Sequence, residues 1–126
     1  MKLVTVGTVA FDDIETPRGR AEMVIGGAAT YISRSASFFV ENQGIVSVIG
    51  GDFPEDELEE MRSLGINTDG IEIKKEEKSF FWAGRYHDNM NKRDTLITDL
   101  NVLANFEPKL PEAYRSAEYL MLGNLT

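Results

Sequence analysis

Three short apolar runs without a charged residue, at 3–9, 45–49 and 119–122, constrain this chain more than any other feature. None alternates cleanly between apolar and polar positions, so each reads as a strand buried on both faces. That is the condition of strands in a parallel sheet covered by helices. The intervals agree. Gly26-Gly27 opens a segment with helical spacing, in which Ala28, Ile32, Ala36 and Phe39 or Val40 recur on one face, and Asn42 and Gly44 end it. After the second run come the turn Gly50-Gly51-Asp52 and Pro54 at a helix start. Leu58, Met61 and Leu64 then point inward, and Gly65 is the stop. Strand, helix, strand, helix predicts an α/β fold with right-handed crossovers.

Two segments depart from that alternation. Residues 11–23 are more polar and centre on Thr16-Pro17-Arg18-Gly19. Residues 79–86 are aromatic and extended, and turn chemistry at Asp88-Asn89-Met90-Asn91 separates them from a second extended stretch at 95–99. Both read as antiparallel excursions from the main sheet. Residues 71–78 predict a mixed strand and 111–116 a short helix. Only four residues follow the strand at 119–122, which would leave it without a covering crossover, so a longer parent protein is expected.

Composition narrows the function classes. The 126 residues, 42% of them hydrophobic, suffice for one domain with a core. A net charge of −8 argues against a nucleic-acid or anionic-membrane surface, both of which need a basic footprint. The acidic runs at 52–60 and 69–77 read as solvated faces. Without cysteine there is neither a disulfide nor a thiolate metal site. No stretch approaches the ~18 apolar residues of a membrane span, so a cytoplasmic protein is expected.

Four features could carry chemistry. Asp12, with Asp13 beside it, follows the first strand; a carboxylate there can accept hydrogen bonds from two ligand hydroxyls, or can simply cap a turn. Gly26-Gly27 at a helix start lets a ligand approach the backbone and the first helical N–H groups, or makes a tight turn. The aromatic residues Phe11, Phe80, Phe81, Trp82 and Tyr86 fall in the two excursions, where they would cover a ligand or pack in a core or a dimer. His87 is the single histidine, so neither a zinc site nor a Ser-His-Asp triad assembles around it, and it reads as a turn residue. No dinucleotide fingerprint and no Gly-Lys-Ser/Thr phosphate loop occurs.

Four stretches in order resemble the PfkB/ribokinase family of small-molecule kinases. They are Gly7-Thr8-Val9-Ala10-Phe11-Asp12; Ile25-Gly26-Gly27-Ala28-Ala29-Thr30; Val46-Ser47-Val48-Ile49-Gly50-Gly51-Asp52; and Leu64-Gly65-Ile66-Asn67-Thr68-Asp69-Gly70-Ile71. Together they span essentially the whole chain. The resemblance implies a ribokinase-like three-layer α/β/α sandwich, with residues 1–126 as its N-terminal, acceptor-binding part and lid segments at about 11–24 and 79–100. It implies transfer of the ATP γ-phosphate to a sugar or nucleoside hydroxyl, with ATP and Mg2+ as cofactors of the full-length parent and none bound to this fragment. By position, Asp12 would hold acceptor hydroxyls, Gly26 and Gly27 would approach the acceptor, and Thr30 would contact it. Phe11, Trp82 and Arg85 would belong to the lid, which could also join two copies as a homodimer.

Two departures stand out. Tyr31 lies in the first helical turn, where many members carry Asn. The Gly-Ala-Gly-Asp signature, which supplies the anion hole and the catalytic base, is absent, so these residues alone are expected to be inactive. Two other readings remain: a non-catalytic sugar- or nucleoside-binding module complete at 126 residues, and a dinucleotide-binding domain, which the missing glycine fingerprint disfavours.

Overall fold

Residues Leu3–Val6 form β1, and the chain then leaves the main sheet as β2 (Ala10–Thr16) and β3 (Gly19–Gly26). It returns through helix α1 (Ala28–Ala36), β4 (Gln43–Gly50), helix α2 (Glu55–Ser63) and the short strands β5 (Ile66–Asn67) and β6 (Ile71–Lys74). A second departure supplies β7 (Phe80–Tyr86) and β8 (Arg93–Asp99), and β9 (Tyr119–Leu122) follows two 3-10 turns. This computed structural model describes residues 1–125. The main sheet has the order β5-β4-β1-β9, with β6 also on β4, and every pairing in it is parallel. The two excursions join as one four-stranded sheet, β3-β2-β7-β8, in which β2 and β7 run parallel and the outer pairs antiparallel.

The apolar run at 45–49 has a direct structural cause. Every residue of β4 is buried. Ile45 and Ile49 pack with Leu58 and Met61 of α2 and Ala29 of α1. Val46 and Val48, turned the other way, meet Tyr114, Val102 and Leu103 from the 3-10 turns. Burying each such aliphatic side chain contributes about 1.5–3 kcal/mol. Tyr114 also anchors the Asn67 turn, since its hydroxyl donates to Asn67 Oδ1 at 2.6 Å and accepts from the Gly70 N–H at 3.0 Å.

The strand Tyr119–Leu122 pairs with β1 among the described residues and is exposed, with Leu122 72% exposed, in keeping with the expectation that it lacks a covering crossover here. Two expectations require correction. Helix α1 ends at Ala36 and presents Ala29, Thr30 and Ser33 to the sheet, while Phe38 and Phe39 are 85% and 89% exposed. The small side chains let the helix sit close to the strands, and the buried face lies beside, not on, the stripe of Ala28, Ile32, Ala36 and Phe39 or Val40 read from apolar periodicity. Leu64, expected inward, lies just past α2 and is 39% exposed.

The entry into the second excursion is pinned. Asp52 Oδ1 accepts from both the Ser79 N–H (2.9 Å) and the Ser79 hydroxyl (2.8 Å), and that hydroxyl accepts from the Gly50 N–H (2.9 Å). Asn101 Nδ2 donates to the Ser79 carbonyl at 2.9 Å. Asp52→Ala would strand a buried N–H and hydroxyl, at a cost of about 1–3 kcal/mol. Urea unfolding should show that loss as a lower midpoint; an unchanged midpoint would remove Asp52 from this anchoring role. No described helix is long and apolar enough to cross a membrane.

Candidate functional site

The site begins where β1 ends. Thr8 clasps the start of α1: its Oγ1 accepts from the Ala28 N–H and its carbonyl from the Ala29 N–H, each at 2.9 Å. Gly27, the residue before the helix, has no side chain to cap with, and Thr8 does this work from the link between β1 and β2. Two of the helical N–H groups expected to face a ligand are therefore already satisfied. The two glycines differ in purpose. Gly27 has φ 98°, and a Cβ there would overlap the Thr8 carbonyl. A Cβ on Gly26 would overlap the Asp12 carboxylate, so Gly26 makes the space that this carboxylate occupies.

Asp12 and Asp13 divide their roles because successive strand residues face opposite ways. Asp13 Oδ1 accepts from the Met23 N–H at 2.7 Å, across an irregularity in the β2–β3 register, and Met23 has φ 51°. Asp12 points into a cleft of about 520 Å³. Its carboxylate accepts no hydrogen bond from any described residue. Burial first, then the Asp13 charge, push its pKa up to about 6.

The second excursion continues the same wall. In the β2–β7 register Asp12 lies beside Trp82, and Phe80, Trp82 and Tyr86 of β7 line the cleft, with Gly84 between the last two. Trp82 lies back over Gly84, where a Cβ would overlap the indole, and its Nε1 donates to Thr95 Oγ1 at 3.3 Å. The Arg93 guanidinium stands 5.8 Å from the Trp82 ring centroid. From α1, Tyr31 completes the rim; burial, and after it the charges of Asp12 and Tyr86, raise its pKa.

Of the residues singled out from sequence, Asp12, Gly27, Tyr31, Phe80, Trp82 and Tyr86 line this cleft, with Gly26 directly beneath the Asp12 carboxylate. Phe81 packs on the core instead, and the other candidates also lie away from the cleft. Phe11, one residue out of phase with Asp12, is buried against Phe53 at 5.7 Å between ring centroids. Arg85, out of phase with Trp82 and Tyr86, pairs with Glu15 at 2.9 Å on the outer face. Thr30 is 2% exposed, and its hydroxyl has no partner among the described residues. Thr30→Val keeps the shape and removes that hydroxyl, and should raise stability by about 1 kcal/mol while leaving affinity for a ligand of the cleft unchanged. Urea unfolding and a ligand titration check both; lost affinity would return Thr30 to the site. Arg93 and Thr8 were not anticipated. Strand alternation in β8 could have flagged Arg93, whereas no local signal marks a threonine that caps a helix 20 residues away.

No family model matches the sequence. Over 73 residues the chain is 34% identical to a cytidine kinase of Thermococcus kodakarensis, covering 58% of this chain and 26% of that protein. Solved structures agree on the fold. A Cryptococcus neoformans ribokinase in complex with ADP superposes with TM-score 0.75 at 15% identity, covering 96% of this chain and 40% of that one. A Halothermothrix orenii fructokinase gives 0.73 at 19%, with 97% and 46% covered. A nucleoside kinase of Methanocaldococcus jannaschii gives 0.70 at 19%, with 97% and 44% covered. The chain thus has the ribokinase-type α/β fold. It spans about a quarter of the curated kinase it matches and less than half of these solved kinases.

Proposed function

We propose that this chain forms the acceptor side of a phosphotransferase that moves the ATP γ-phosphate to a hydroxyl of a sugar or nucleoside. The observation that carries the reading is the Asp12 carboxylate, which has no hydrogen-bond donor among the described residues and lines a cleft beside the aromatic residues of the neighbouring strand. When ionised, a carboxylate without such donors presents its lone pairs to two neighbouring hydroxyls, which fixes the acceptor's orientation. Gly26 holds the carboxylate's place, and Gly27 and Ala28 bring backbone close to the bound alcohol. The sheet carrying Trp82 covers the cleft and excludes water, which would otherwise compete for the phosphoryl group.

ATP and Mg2+ fit these residues poorly. No group of three His, Cys, Asp or Glu among the described residues is placed to hold a metal ion. The first two N–H groups of α1 are held by Thr8. ATP would supply the phosphoryl group and Mg2+ would neutralise its charge, and the proposal assigns both to residues other than these. A homodimer through the sheet of β2, β3, β7 and β8 belongs to the same reading, supported by the 48% exposure of Leu96 and of Ile97 on β8.

Calorimetric titration of the chain with sugars and nucleosides, without ATP, tests the proposal. Saturable binding that Asp12→Ala weakens is the expected result. Absence of binding by every such alcohol would overturn it.

A further inference from the structure

We infer that Asn101 is the positioning residue for the aromatic wall of the cleft, holding through Ser79 the strand and turn that keep the Trp82 indole in place. The restraints on that indole come from one segment of the chain. Its Nε1 donates to Thr95, the Arg93 guanidinium stands over its ring, and it packs against a cluster that contains Val102 and Leu103. All four residues follow β7, on β8 or in the 3-10 turn Asn101–Asn105. The Trp82 backbone is seated differently, by the parallel ladder between β2 and β7. Among the described residues β8 pairs with β7 alone, and every residue of it is exposed. The indole thus depends on a strand that has little burial of its own to hold it to the core.

That strand is fastened at its base. Asn101 has φ 49°, in the left-handed region that Asn tolerates better than most residues, and there the chain passes from β8 into the 3-10 turn. The Asn101 Nδ2 donates to the Ser79 carbonyl at 2.9 Å, and the neighbouring Val102 N–H donates to the Lys78 carbonyl at 3.1 Å. One bond would leave a pivot; two at adjacent residues set the direction in which β8 meets the core. Ser79 is a firm point to tie to, being 1% exposed and bound to Asp52 and to the Gly50 N–H. Just past the tie, Val102 and Leu103 are buried with Phe80, Ala10 and Val48. Loss of the Asn101 amide would free β8 and its turn at their base, while β2 and β7 stay paired.

Asn101 supplies two separable things, a side-chain donor and tolerance of its left-handed backbone. Glycine keeps the second and lacks the first, and alanine lacks both. Aspartate keeps the shape and sets a carboxylate against the Ser79 carbonyl in place of the donor. Trp82 is the single tryptophan, so its emission and its one indole N–H report on this wall alone. The readouts are hydrogen exchange of that indole N–H, followed by NMR, and acrylamide quenching of the emission. Both are made on the folded chain without a ligand, so the outcome is independent of the acceptor reading. Losing one neutral hydrogen bond shifts a local opening equilibrium about two- to tenfold, so Asn101→Ala, Asn101→Gly and Asn101→Asp should each speed indole exchange by about that factor. Quenching should rise in all three. Wild-type exchange and quenching in Asn101→Gly would mean that the backbone, and not the amide, sets the turn, and would overturn the inference. A lower urea midpoint in all three variants with both indole readouts unchanged would reduce Asn101 to a general contribution to stability and overturn it too.

Discussion

Replacing Asp12 with alanine is expected to weaken acceptor binding by about 2–4 kcal/mol, a rise in Kd of about 30- to 1,000-fold. The size follows from two charge-assisted hydrogen bonds lost at once in a half-buried cleft. The pH dependence is equally specific. Burial and Asp13 hold the Asp12 pKa at about 6, and only the ionised form offers all its lone pairs to acceptor hydroxyls. Affinity should therefore climb as pH rises through about 6 and level off above it. At pH 5 roughly one-tenth of the sites are ionised, so Kd should be about tenfold weaker than at pH 7.

Stability should move the opposite way. A carboxyl whose pKa rises from 3.8 to about 6 on folding binds its proton more tightly in the folded state. The group imposes no penalty well below pH 3.8, a growing one between 3.8 and 6, and a constant one above. Asp12→Asn removes the charge and keeps the shape, so it should raise Tm at pH 7–8, with the gain vanishing near pH 4. A lower Tm at pH 7 would mean that the carboxylate is held by contacts the structure does not contain. Binding and stability changing in opposite directions is the signature of a group kept for its ligand rather than for the fold.

How much of this was legible in the sequence depended on the range of the interaction. The run at 45–49 announced a strand covered on both sides, and β4 is that strand, because two-sided burial writes itself into every residue. Leu58 and Met61 marked the inner face of α2 for the same reason. Residues 79–86 and 95–99 read as extended, and β7 and β8 lie there. Asp12 stood out as a carboxylate following the first strand. What failed were inferences that needed an element's neighbours. Phe11 and Arg85 were chosen for chemistry without regard to the period of two, which turns both away from Trp82 and Tyr86. Asp52 matched a family motif, and its visible work is structural, fastening Ser79 at the base of β7.

The glycine pair offers a sharper division between site and scaffold. Gly26→Ala meets the movable end of the Asp12 side chain, and Gly26 has no positive φ, so the fold should lose less than about 1 kcal/mol. The carboxylate must nevertheless swing out of its place, and acceptor affinity should fall at least about tenfold, most of the way to the Asp12→Ala value. Gly27→Ala meets backbone instead. Its Cβ runs into the Thr8 carbonyl that holds the Ala29 N–H, at a φ of 98° that side chains avoid. It should cost at least about 1–3 kcal/mol of stability and loosen the start of α1. A double-mutant cycle completes the argument. If Gly26 serves the acceptor only by making room for Asp12, Gly26→Ala should have no further effect on affinity once Asp12 is alanine, and the coupling should equal its whole single effect. Strict additivity would mean that Gly26 contacts the acceptor through its own backbone, as the family resemblance implies.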